Sequence, residues 1–193
     1  MVLKLSESHK NGAPAPQANH AAPMPAGPIV YRDDGRIDWG NMWDSFCVLA
    51  LDGGPPHRGD LLHAPTNPDI HSPSYHFAAA EIARGIEEVC GLTAVPAEPG
   101  WLKIHCLTQS QAHWLAEAII QENVQARHDG TRLFVPVGDD FRLKYEIKNV
   151  ITAVAKTTHY WQDHLALEVK QALVLQEKLA TLWHKLRKVV GTH

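Results

Sequence analysis

The stretch from Asp140 to Val190 contains neither glycine nor proline. Those two residues are the strongest local breakers of helix. A run this long without them predicts one very long helix, or two joined by a subtle break. The two halves carry different patterns. In the first, Leu143, Ile147, Val150, Ile151 and Val154 form a core-facing stripe. Tyr145, Lys148, Asn149, Thr152, Lys156, His159 and Tyr160 gather on the other flank. That flank has little acid to balance its lysines, so it reads as a solvated face, or as one that lines a pocket or meets an anionic partner. In the second half, Leu175, Leu179, Leu182, Leu186 and Val189 step by four and three, a heptad-like seam. Lys185, Arg187 and Lys188 lie at the end where the helix dipole favours cations. A small domain offers limited surface to bury a helix this long. The seam either folds back onto its own sheet or pairs with a neighbouring subunit, giving a homo-oligomer.

The chain has 193 residues, room for one ordinary domain with a real core. Residues 1–28 are rich in alanine and proline and have almost nothing to bury, so they read as a disordered tail. Residues 29–193 read as a single globular domain that includes the helical segment 140–190. Asp34-Gly35 marks a turn in a small N-terminal arm that Trp39 and Trp43 pack onto the body. "SFCVLAL" (45–51) is apolar on both alternations, which suits a central strand covered on both faces. Next comes a helix with Ser72 as its N-cap, Pro73 in the first position and Gly91 as its C-cap. "WLKIHCL" (101–107) alternates as a strand, with Leu102, Ile104 and Cys106 on one face. Thr108 and Gln111 form a capping-box pattern that opens a helix to about Asn123. "VQARHDGTRLFVPV" is a hairpin turning at Asp129-Gly130, and Pro136 ends its second strand or puts it at an edge.

The expected fold is α/β (or α+β), a small mixed sheet in the order β-α-β-α-β-β-α with an N-terminal arm and a long C-terminal helix. That order resembles the thioredoxin-like fold. "DGGPPHRG" stands where that fold carries C-x-x-C, and no proline precedes the third strand, so its redox chemistry is not implied.

If strands 45–51 and 101–107 were parallel, their C-terminal ends would share one sheet edge, where open α/β sheets bind ligands. "DGGPPHRG" leaves the first strand there. Gly53, Gly54 and Gly59 would let backbone amides approach a ligand, and Arg58 offers a fork matched to carboxylate or phosphate. Asp52 and His57 flank it, and the free amides near Thr108 and Gln109 add positive character. With Lys148 and Lys156 on the long helix, these residues form a candidate site for an anionic small molecule. No nucleophile stands out, since Ser45 and Cys47 fall inside the expected strand, and no enzyme class is assigned. Asp52 is a candidate base, or an orienting partner for His57.

Thirteen histidines are the compositional oddity. His57, His63, His71 and His76 lie within twenty residues and are the candidate ligands for a transition metal. Their spacing matches neither H-E-x-x-H nor a Cys/His finger. Net charge is −3, which gives no global basic field for nucleic acid. The longest apolar run, "FCVLAL", is far short of a membrane span, and the first ten residues lack a secretory apolar core. Three unclustered cysteines point to a reducing, cytoplasmic setting. Three functions remain open: small-ligand binding, assembly or adaptor work through the C-terminal helix, and metal binding by the histidine-rich loop.

Overall fold

The computed structural model describes residues 29–51 and 60–190. It is a mixed helix-and-sheet fold with a long C-terminal helix. Five α-helices are described: α1 (Trp39–Leu51), α2 (Pro73–Cys90), α3 (Gln109–Gln121), α4 (Lys148–His159) and α5 (Leu167–Val190). Four strands, β1 (Ala94–Pro96), β2 (Trp101–His105), β3 (Arg127–Asp129) and β4 (Arg132–Pro136), form one sheet in the order β1-β2-β4-β3. Every ladder in it is antiparallel.

The segment expected as the first strand is the second half of α1. Asp38 starts this helix, its carboxylate accepting from the Asn41 amide at 2.9 Å. Trp39, Met42 and Phe46 follow at helical spacing and are buried, with Trp43 half-buried beside them. Val48, which a doubly covered strand would bury, is 62 % exposed. An apolar run that fits both alternations fits a helix equally well, and the tryptophans upstream decide between them. The parallel pair 45–51 with 101–107 therefore does not exist, and the thioredoxin-like order goes with it.

Other elements fall where the sequence puts them. Ser72 accepts from the Tyr75 amide at 3.1 Å, and Gly91 closes α2 at φ 66°. Thr108 accepts from the Gln111 amide at 3.0 Å, the first half of a capping box, while the Gln111 side chain reaches back one residue further, to the Leu107 amide at 2.8 Å. The hairpin loop is shifted by one residue: Asp129 pairs with Arg132, so Gly130 (φ 58°) and Thr131 make the turn. Pro136 ends β4, a central strand. The arm closes through a bridge between Tyr31 and Ile37 around Gly35, and its Arg32 pairs with Glu88 of α2.

The glycine-free stretch is divided in two. A π-helical turn at Leu143–Ile147 leads into α4, and a second at Tyr160–His164 leads out of it. Leu165 then takes an extended conformation (ψ 119°) before α5 begins. Residues 149–155 are all buried, so α4 is the central helix of the core, packed on α2 and α3. The polar flank expected on it divides: Tyr145 and Tyr160 are exposed, Lys148, Lys156 and His159 half-buried, and the middle is internal. Asn149 and Thr152 are buried, and the Thr152 hydroxyl donates to the Lys148 carbonyl at 2.7 Å. His159 stacks on Trp43 (ring centroids 4.9 Å apart) and donates to the Val89 carbonyl at 3.1 Å.

Candidate interaction helix and the clefts beside it

α5 is anchored along one line and open elsewhere. Lys170 donates to the Gln162 carbonyl at 3.0 Å, Leu173 packs against the core, Val174 is half-buried, and Glu177 accepts from the Ser110 hydroxyl of α3. These contacts are spaced by three and four, so they form a single stripe. In heptad terms, with Ala172 and Leu179 at a and Leu175 and Leu182 at d, the anchoring residues occupy b, c and f. The a/d seam therefore lies off this stripe, with Leu175 at the edge of a cleft it shares with Leu107 and Trp161. It is open to solvent in the single chain: Leu175 and Leu179 are each 58 % exposed, Leu182 56 %, and the neighbouring Trp183 62 %. Leu107, just before α3, is 91 % exposed and adds to this apolar surface. Sequence analysis missed Leu107. Its signal was a leucine between a strand's last inward residue and a helix cap, a position with nothing to bury it against.

Two clefts flank the anchored stripe. One, of about 490 Å3, lies between α3 and α5 and is bordered by Gln109, Ser110, His113, His128, Gln176 and Glu177. In it His113 Nδ1 and His128 Nε2 are 3.0 Å apart, a pair between α3 and β3. The other, of about 400 Å3, runs past Leu107, Thr108, Trp161, Leu175 and Lys178.

Four of the ten candidate ligand residues are described: Thr108, Gln109, Lys148 and Lys156. Asp52, Gly53, Gly54, His57, Arg58 and Gly59 lie outside the described residues. Thr108 uses its hydroxyl as a cap, and Gln109 borders the larger cleft. At this helix start the Glu177 carboxylate already supplies the negative charge that the α3 dipole favours. Lys156 pairs with Glu122 at 2.6 Å in a third cleft, beside Trp114 and Tyr160. Lys148 is partly enclosed on the first turn of α4, where burial lowers its pKa. Of the candidate metal ligands, His57 lies outside the described residues, and His63, His71 and His76 are exposed. Among the described residues no group of three or more His, Cys, Asp or Glu is arranged to hold a metal ion. His105 is exposed at the end of β2. Cys47 is half-buried on α1, and its thiol pKa is raised by burial and by Asp44. Burial pushes the Cys90 and Cys106 thiols up to about 12 and about 11, which makes them poor nucleophiles. Among the described residues no helix is long and apolar enough to cross a membrane.

No family model matches the chain, and the search of curated proteins returned no significant match.

Proposed function

We propose that this chain is a self-assembling subunit, a folded body that pairs with a second copy of itself through α5. The observation that carries this is the row Leu175, Leu179 and Leu182 on α5, each more than half exposed. Helices that merely cap a domain turn their leucines inward. The 3-4 spacing suits a helix that meets another helix of the same spacing, and an uncharged seam of this kind is self-complementary. The unpaired Cys47, Cys90 and Cys106 support a reducing compartment such as the cytoplasm.

The test is size-exclusion chromatography with light scattering over a concentration series. The parent chain should run as a dimer or larger at tens of micromolar. The double variant Leu179→Glu/Leu182→Glu should run as a folded monomer with unchanged far-UV circular dichroism. A monomeric parent, or a double variant that stays assembled, would overturn the reading.

A second reading, small-ligand binding at the start of α3, draws support from the cleft of about 490 Å3 that Gln109 and Ser110 border. An anion entering there must compete with Glu177, so Glu177→Gln should strengthen binding of inorganic phosphate, measured by calorimetry. Absence of heat with both parent and variant would remove this reading.

A further inference from the structure

The residues that flank the α5 seam differ on its two sides. On one side, at the heptad positions called g, stand Gln171, Lys178 and Lys185. On the other, at the positions called e, stand Val169, Gln176 and Trp183. Neither side carries an acid. When two such helices run parallel, the g residue of one faces the e residue one heptad further along in the other. When they run antiparallel, g faces g and e faces e. The antiparallel arrangement therefore sets lysines of one copy against lysines of the other. The parallel arrangement sets Lys178 against Trp183, a cation beside an aromatic face, with no like-charge pair among these flanking residues. Both groups are free to take these places: Lys178 is exposed, and Trp183 is 62 % exposed.

Resting on the self-assembly reading above, we propose that the two copies of α5 pair in parallel, as a two-stranded seam of Leu175, Leu179 and Leu182 with Lys178 of each chain against Trp183 of the other. The anchoring contacts at Lys170, Leu173, Val174 and Glu177 all lie in the first half of α5. A parallel pair thus holds the two bodies side by side at one end, while the second halves of both helices extend away together.

Spin labels at the two ends of α5 test the direction. Glu168→Cys and Arg187→Cys are exposed positions separated by roughly 28 Å of helix, at 1.5 Å per residue. The half-buried Cys47 is replaced by serine to leave one reactive site. In a parallel pair, each variant alone should give a short label-to-label distance, about 20 Å or less. A mixture of the two should give a cross distance of about 30 Å. The reverse pattern, long distances within each variant and short ones in the mixture, overturns the parallel arrangement while leaving self-assembly standing. A chain that is monomeric by light scattering under the same conditions overturns both. As an independent readout, Trp183→Lys should weaken dimerisation about tenfold or more by placing lysine against lysine, whereas Trp183→Phe should nearly preserve it. Equal dimer affinity for the lysine and phenylalanine variants would refute the Lys178–Trp183 contact.

Discussion

The same stretch without glycine or proline supplies α4, whose residues 149–155 are all buried, and α5, whose Leu175, Leu179, Leu182 and Trp183 are each more than half exposed. Residue type alone would assign these environments the other way round, since α5 carries the leucines and α4 carries Asn149, Thr152, Thr157 and Thr158. The difference lies in neighbours. α4 is made largely of small and β-branched residues, which let other helices come close. At Gly85 of α2, an added Cβ would fall 2.4 Å from Ile151 Cδ1, so only glycine fits that approach without displacing the isoleucine. Thr152 and Thr157 turn inward with their hydroxyls bonded within the helix, to the Lys148 carbonyl at 2.7 Å and the Ala153 carbonyl at 2.8 Å. α5 is anchored along one stripe, and Leu175, Leu179, Leu182 and Trp183 are left more than half exposed by the described residues. Burial here follows the count of packing surfaces, and hydrophobicity follows which surface is meant to be covered.

The sharpest test of that contrast is paired truncation. Ile151→Ala should cost about 2–5 kcal/mol of unfolding free energy in denaturant titration, because the fully buried site cannot collapse around the cavity. Leu179→Ala should cost less than about 0.5 kcal/mol in dilute, dissociated protein, with a larger loss appearing only as concentration rises. A dilute-limit loss comparable to that of Ile151→Ala would erase the contrast and put the α5 seam inside its own chain.

Overpacking gives the next effect. Gly85→Ala should destabilise by about 1–3 kcal/mol, read from the shift in denaturation midpoint. A neutral result would mean that α2 and α4 can separate freely.

A smaller effect lies at the anchoring stripe. Removing the Ser110–Glu177 hydrogen bond with Ser110→Ala should cost about 1 kcal/mol. It should also speed amide exchange along the first half of α5 more than along α4. Uniform acceleration would show that α5 unfolds together with the core rather than on its own.

The smallest effect is a pH dependence beside the core. Burial pushes the Glu146 carboxyl up, but the Arg142 side chain and amide more than offset this and leave it below its ordinary value of 4.5. A depressed carboxylate stabilises the fold above its unfolded pKa, and that contribution is lost as pH falls through the folded value. The stability gap between parent and Glu146→Gln should be constant above about pH 5 and shrink below it. A gap independent of pH down to pH 2 would show that Glu146 acts through shape and not charge.

Much of the architecture was legible because local rules wrote it. Ser72, Pro73 and Gly91 bounded α2, Thr108 and Gln111 opened α3, and alternation placed Leu102 and Ile104 inward. The break between α4 and α5 was legible as a possibility but not as a position, because it rests on one extended residue and two π-turns with no breaker residue. The main misreading came at 45–51, where an apolar run has no period to read. Trp39, Met42, Trp43 and Phe46 held the helical spacing, and Asp38 held the cap, but those tryptophans had been assigned to the arm. β1 is three residues long, too short for any alternation to register. As for the site, the seam of α5 was readable from its spacing. Which way it faces was not, since that depends on Glu177 reaching Ser110 across sixty-seven residues of chain.

The junction at Leu165, where the chain turns extended before α5, has a mechanical consequence. α5 is 24 residues long, roughly 36 Å, and is held mainly along its first half. The second half, roughly 18 Å, is then a lever: a bend of about 10° where the anchoring ends swings the far tip by about 3 Å. Anything that fills or empties the clefts beside the root is therefore magnified at the distal end. Joining two such tips would convert a slight local adjustment in one body into a displacement felt by the other.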